Sequence, residues 1–255
     1  MKRIVVKVGS HVLSEQNRLA RERISRLTEF LAQLHERYEV IFVSSGAVAA
    51  GYSKLKIDKS VLANRQAIAA VGQPYLMSVY QKKFEKSDIL TAQVLLTADD
   101  FDSRRRTHHA KCAVNTLLQN GVIPIINEND VTATEELVFG DNDQLSAHVA
   151  YYFDADMLVI LSDIDGYYDS DPHVNTEAKR YDKVSEISEE LLEIPCNPNH
   201  QFATGGIATK LKAAKFLLER DREMFMTSGF DLRDARNFLL ERRQTGGTHF
   251  TKDVS

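Results

Sequence analysis

The sequence predicts an α/β domain, a three-layer α/β/α sandwich with a mainly parallel central sheet, and three observations carry that expectation. At least six short apolar runs alternate with segments of helical periodicity, the order that a parallel sheet with crossover helices requires. Most of the runs are continuously apolar, as suits strands buried on both faces. Several end in Gly, Ser, Asn or Asp, on the edge where open α/β sheets bind their ligands.

Ile4-Val5-Val6-Lys7-Val8 is the first strand, and Gly9-Ser10 ends it. A lysine inside such a run either snorkels from an edge strand or points into a polar site, because an unpaired buried ammonium is costly. Gly9 permits close backbone approach, and the N–H groups of Gly9 and Ser10 are candidate phosphate donors. Between Leu19 and Tyr38, Ile24, Leu27, Leu31 and Leu34 recur at three- and four-residue steps, which predicts an amphipathic helix. Val40 to Val43 is the next strand. Ser44-Ser45-Gly46-Ala47-Val48-Ala49-Ala50-Gly51 follows at a strand-to-helix junction, where free backbone N–H groups favour an anion. A serine cap on a closely packed helix of small residues is the structural alternative. Neither the phosphate-loop nor the dinucleotide-binding spacing is present.

Residues 61–86 read as helical with a break at Gly72-Gln73-Pro74, and Ile89 to Leu96 as a strand. Arg104-Arg105-Arg106 reads as solvated helix surface or an intersubunit contact. His108 and His109, adjacent on a helix, point in different directions and are not read as a metal site. Ala110, Val114, Leu117 and Leu118 supply that helix's buried face.

The most informative stretch is Gly121 to Asp130, followed by Phe139 to Ser146. An apolar strand runs into Asn127-Glu128-Asn129-Asp130, and a second polar cluster opens the helix through Leu145, Val149 and Phe153. Asp141, Asn142 or Asp143 can each cap that helix. Capping leaves Asn127, Asn129 and Asp130 unexplained, and polar groups are not placed behind a buried strand without partners. Met157 to Leu161 is a further strand, ending in Ser162-Asp163. Residues 169–184 read as a loop with a short hairpin, and residues 195–202 as turn-rich. Thr204-Gly205-Gly206 bends into a helix that carries Lys210 about one turn in, close enough for its stem to reach back. A strand over 223–227, a helix over 231–241 and a short strand over 248–251 close the chain.

Length and composition fit one domain over residues 1–255. A formal charge of −4 argues against a nucleic-acid partner. The absence of a signal-like N-terminus or a bilayer-length apolar run predicts a cytoplasmic protein without a membrane partner. Cys112 and Cys196 lack metal-ligand spacing and read as reduced thiols. Together the polar strand ends supply lysines, small-residue bends before helices, and carboxylates. These are the parts of phosphoryl transfer, which needs positioning and charge neutralisation more than covalent help. Carboxylates there would hold the lysines or coordinate Mg²⁺.

Six ordered segments resemble the amino-acid kinase superfamily, and within it the branch that phosphorylates glutamate: Val6–Ser10, Val43–Gly51, Ile126–Asp130, Gly140–Ala147, Leu161–Tyr168 and Thr204–Lys210. The resemblance implies the amino-acid kinase fold, ATP and Mg²⁺ as cofactors, and L-glutamate as phosphoryl acceptor. It implies that Lys7 and Lys210 contact the moving phosphoryl group while Asp143 fixes their ammonium groups. Ser45, Asp130 and Asn142 would bind glutamate, with Asn127 supporting that pocket. Gly9, Ser10 and Gly46 would line the phosphate path. Ser162, Asp163 and the segment Thr204, Gly205, Gly206, Ile207, Ala208, Thr209 and Lys210 would hold ATP. Many relatives carry methionine at the position of Ile207, a modest apolar change. The resemblance further implies a homo-oligomer (dimer or tetramer), proline as feedback inhibitor, and the short form without the RNA-binding-like domain that many relatives append. Acetylglutamate and carbamate kinases are the alternatives within the superfamily, although they typically pair glycines where this chain has Gly9-Ser10. A catalytically inactive small-molecule sensor is the alternative outside enzymes.

Overall fold

The structure is a computed structural model that describes residues 1–133, 142–172, 174–192 and 206–253. The chain opens with strand β1 (Lys2–Val8), the single-turn helix α1 (Ser10–Leu13), and a small hairpin of β2 (Ser14–Glu15) and β3 (Arg18–Leu19). Helix α2 (Arg21–His35), strand β4 (Tyr38–Ser44), helix α3 (Ala47–Tyr52) and helix α4 (Leu62–Phe84) follow. Strand β5 (Thr91–Leu96), helices α5 (Ala98–Asp102) and α6 (Arg104–Gln119), strand β6 (Ile123–Glu128), helix α7 (Asn142–Tyr152) and strand β7 (Met157–Ser162) form the middle. The last part holds β8 (Lys183–Val184), α8 (Glu189–Leu192), α9 (Gly206–Leu218), β9 (Glu223–Ser228), α10 (Arg233–Leu240) and β10 (Thr248–Phe250).

Eight strands form one sheet in the order β5-β6-β4-β1-β7-β9-β10-β8. All pairings in it are parallel except β9 with β10. Alternation along each strand divides the core into two layers. Val5, Ile41, Val43, Ile126, Leu158 and Ile160 face the side covered by α6, α7 and α9. Ile4, Val6, Val8, Phe42, Ile125 and Leu161 face α2, α4 and α10. Lys7 therefore shares its face with Val5 and points toward α7. The crossover that leaves β1 leads to its neighbour β4, whereas the one that leaves its other neighbour, β7, leads to β9 in the opposite direction. The carboxyl end of β1 is the switch point where such sheets open a ligand crevice.

One expectation about the elements is corrected. Helix α4 runs unbroken through Gly72-Gln73-Pro74. Gly72 serves close packing there, since an added Cβ would lie 1.8 Å from Ala47 O and 2.4 Å from Gly51 N. The region 169–184 closes as a short hairpin through the antiparallel bridge of Tyr168 with Arg180 and the Asp169 N–H to Lys179 O and Tyr181 N–H to Tyr167 O bonds, and β8 beyond it pairs with β10 at the sheet edge. The β2–β3 hairpin went unforeseen because its turn residues, Gln16 (φ 48°) and Asn17 (φ 60°), adopt positive φ without a glycine to signal it. Arg104, Arg105 and Arg106 are exposed on α6, which fits a solvated face and an intersubunit contact alike. Cys112 is a free, exposed thiol on the same helix. The turn-rich stretch 195–202, with Cys196, lies outside the described residues. Among the described residues no helix is long and apolar enough to cross a membrane.

Candidate active site

The carboxyl ends of β1, β4, β6, β7 and β9 lie along one edge of the sheet, and the polar residues that end them converge there. The centre is a buried charge triad. Lys7 is fully buried, and its Nζ lies 2.5 Å from Asp143 Oδ1. Lys210 Nζ donates to Asp143 Oδ2 at 3.0 Å and to Gly206 O at 2.9 Å, so its stem folds back along the first turn of α9. Thr209 Oγ1 is the third donor to the Asp143 carboxylate, reaching Oδ2 at 2.9 Å. Burial alone would raise the Asp143 carboxyl, but the two lysines outweigh it and hold the group well below the usual carboxylate range. One carboxylate against two ammonium groups gives these three side chains a net positive formal charge at the carboxyl edge of the sheet.

The triad depends on tertiary packing. Strand β1 carries Lys7 on the α7 face, while α7 carries Asp143 in its first turn, where a carboxylate is favoured by the unpaired N–H groups. Gln144 Nε2 donates to Thr209 O at 2.8 Å, which ties the start of α7 to the start of α9.

A second, neutral group occupies the β4–β6 side. Asn142 Nδ2 lies within hydrogen-bond reach of Ser45 Oγ (3.0 Å), Ser44 O (3.2 Å) and Asn127 Oδ1 (2.8 Å). Ser45, Asn127 and Asn142 are all buried. Asp130 lies in the turn after β6, where burial pushes its carboxyl up and Arg65 partly offsets the effect. Gly46, at φ +102°, caps α3 in a left-handed conformation that its position between strand and helix requires.

On the β7 side, Ser162 is buried and donates to Asp163 Oδ1 at 2.9 Å, while Asp163 Oδ2 lies 3.0 Å from His11 Nδ1. Burial would raise Asp163, but Ser162, Lys210 and His11 hold it low. Gly9 sits at the end of β1, but its N–H already donates to Leu161 O at 3.1 Å. This corrects the expectation of a phosphate donor there, because parallel pairing with β7 continues one residue beyond the strand. Ser10 opens α1 at the surface. Gly206, Ile207 and Ala208 form the first turn of α9. Thr204 and Gly205 lie outside the described residues, as do Phe139, Gly140 and Asp141.

Lys7, Asp143, Lys210 and Thr209 are thus brought together, with Ser45, Asn127 and Asn142 as a neighbouring group. Sequence reasoning missed Gln73, which is buried on α4 and accepts from Asn127 Nδ2 at 2.9 Å. The signal in the sequence is a long polar side chain in an otherwise apolar helix segment, which between Gly72 and Pro74 also fits a helix break. His11 was also missed, since an exposed histidine carries no sequence pattern.

Residues 2–228 match the model of the amino acid kinase family. The chain is 54% identical over 255 residues to a glutamate 5-kinase of Leishmania donovani, spanning 100% of this chain and 97% of that one. It is 53% identical to a glutamate 5-kinase of Wolinella succinogenes, spanning 99% and 98% of the two chains. The solved structure of a carbamate kinase from Giardia lamblia bound to AMP-PNP superposes with a TM-score of 0.67, covering 99% of each chain at 16% identity. That likeness concerns the fold alone.

Proposed function

Because the chain belongs to the amino acid kinase family, we propose that it catalyses transfer of the γ-phosphoryl group of ATP to the side-chain carboxylate of L-glutamate. The products are ADP and L-glutamyl 5-phosphate. The single observation that carries this reading is the buried triad of Lys7, Asp143 and Lys210 at the switch point of the sheet, in a chain so similar to glutamate 5-kinases. The retention of Lys7, Asp143 and Lys210 together speaks against an inactive sensor.

A carboxylate oxygen of glutamate forms a bond to the γ-phosphorus while the bond from phosphorus to the β–γ bridging oxygen breaks. That carboxylate is already ionised at neutral pH, so no strong base is needed. The barrier lies in bringing two anions together, and preorganised positive charge lowers it. Lys7 and Lys210 supply that charge, and Asp143 holds their amines in place through its two oxygens. Ser45, Asn142 and Asp130 would receive glutamate, with Asn127 behind them. Asp163, Ser162 and the first turn of α9 would face the nucleotide.

Mg²⁺ fits this site as an ion carried on the nucleotide's phosphates. Asp143 is committed to the lysines, and among the described residues no three metal-binding side chains cluster; Mg²⁺ commonly binds through substrate phosphates with few protein ligands. When bound it would neutralise phosphate charge alongside the lysines, and the half-exposed Asp163 is the carboxylate on the nucleotide face that could reach its shell.

The test is ADP release by purified protein with glutamate, acetylglutamate, aspartate, carbamate or uridylate as acceptor, with hydroxylamine to trap acyl phosphate. Glutamate alone is expected to give a hydroxamate, and a hydroxamate from acetylglutamate in its place would reassign the acceptor. Asp130→Ala should raise the KM for glutamate by about tenfold or more through loss of a charge-assisted contact. The KM for ATP should stay within about twofold, because the residue sits on the β6 side of the cleft. A raised ATP KM with glutamate KM intact would reverse the two pocket assignments.

A further inference from the structure

Gln73 and Gln93 touch none of the charged groups of the triad, yet they belong to a file of amides that ends in the acceptor pocket. Gln73 Nε2 donates to Gln93 Oε1 at 3.0 Å, and Gln73 Oε1 accepts from Asn127 Nδ2 at 2.9 Å. Asn127 Oδ1 accepts from Asn142 Nδ2 at 2.8 Å. Gln73 is buried in a helix face shared with Ala69, Leu76 and Met77, whereas Gln93 lies exposed on edge strand β5.

A primary amide looks nearly the same after half a turn, which exchanges its donor for its acceptor. At the pocket end that ambiguity is removed. Asn142 also faces Ser44 O at 3.2 Å, and a backbone carbonyl can only accept. The Asn142 atom on that side is therefore the NH₂ group, so the Asn127 atom that faces Asn142 is oxygen. The other end of Asn127 must then donate, and the same rule passes through Gln73 to Gln93. Every link of the file then has one polarity, with the two Asn142 N–H groups shared among Ser44 O, Ser45 Oγ and Asn127 Oδ1.

The atom left over is Asn142 Oδ1. It is buried and has no hydrogen-bond partner among the described residues, on a residue only 8% exposed. A buried acceptor without a donor is costly, and the polarity of the file directs this one away from the protein partners of the NH₂ group. We propose that Gln73 is a positioning residue for the acceptor: acting through Asn127, it holds Asn142 with Oδ1 toward the pocket, where it accepts from the free α-ammonium of the amino acid. An N-acylated amine has lost its positive charge and two of its three donors, so the same device favours a free amino acid. The inference rests on glutamate being the acceptor.

The experiment compares Gln73→Met with Gln73→Glu in steady-state kinetics and thermal melting. Methionine fills the space without accepting from Asn127. Glutamate keeps the acceptor, and Gln93, being exposed, can turn to donate to it. Gln73→Met is expected to raise the KM for glutamate about tenfold, the effect of one hydrogen bond to a charged group. The KM for ATP should stay within about twofold, and Gln73→Glu should restore most of the loss. Gln93→Leu, a surface change that removes only the far end of the file, should shift the glutamate KM in the same direction by a smaller factor. An unchanged glutamate KM in Gln73→Met, or equal shifts in both KM values with a lowered Tm and no recovery in Gln73→Glu, would overturn the proposal. Loss of the glutamate-dependent hydroxamate in the unsubstituted protein is a separate result, and it would remove the acceptor assignment itself.

Discussion

Lys210→Ala is expected to lower kcat by about 10²–10³, the usual consequence of removing one preorganised donor from a developing anionic transition state. The KM for glutamate should change little, since Lys210 lies on the α9 side of the triad, away from Asn142 and Ser45. The substitution does not leave Asp143 bare, because Lys7 Nζ at 2.5 Å and Thr209 Oγ1 at 2.9 Å still satisfy its oxygens. Folding should therefore survive, and the loss can be read as catalytic. Lys210→Arg should recover little, because a planar guanidinium cannot curl onto Gly206 O as the flexible ammonium does. Turnover by Lys210→Ala at the level of the unsubstituted enzyme would remove this residue from the reaction.

Asp143→Ala carries the largest expected effect on stability. It leaves Lys7, fully buried, and Lys210, 6% exposed, as two ammonium groups without their shared counter-ion. Breaking a buried ion pair from one side costs about 3–5 kcal/mol, and here two cations would also repel. Urea unfolding of Asp143→Ala should show a midpoint lowered accordingly with the slope unchanged. Activity should fall together with the positioning of both lysines. The same coupling sets an acid limit for the native protein. The folded Asp143 carboxyl is depressed below its unfolded value. Its stabilisation is therefore complete above the ordinary carboxylate pKa of about 4, and it is lost progressively as the pH falls from there toward the depressed folded value. Asp143→Asn should flatten that acid limb of the stability profile. An unaltered limb would mean that other carboxylates govern it.

Much of this molecule was legible before any coordinates. Apolar runs such as Ile4 to Val8 and Met157 to Leu161 are strands because β-branched and apolar residues suit a sheet buried on both faces. Ile24, Leu27, Leu31 and Leu34 place α2 by helical spacing and are all buried. The polar ends of β1, β4, β6 and β7 announced the ligand edge, and Lys7, Asp143 and Lys210 came from ordered motifs. Errors arose where a local signal had two physical meanings. Gly72 and Pro74 look like helix breakers, yet Gly72 is there because Ala47 and Gly51 approach too closely for a side chain. Gly9 looks like an open donor, yet its N–H is already held by Leu161.

What the sequence determined by itself is the kind of fold, the family resemblance and the residues able to do the chemistry, since periodicity, turn composition and motif order are properties of neighbours along the chain. Only the tertiary structure decided that Lys7 and Asp143, 136 positions apart, share one buried bond, and that Gln73 reaches Asn142 through Asn127. Long-range pairs of this kind follow from strand order and from which face each side chain takes. A linear pattern holds those two facts only after the sheet has been assembled.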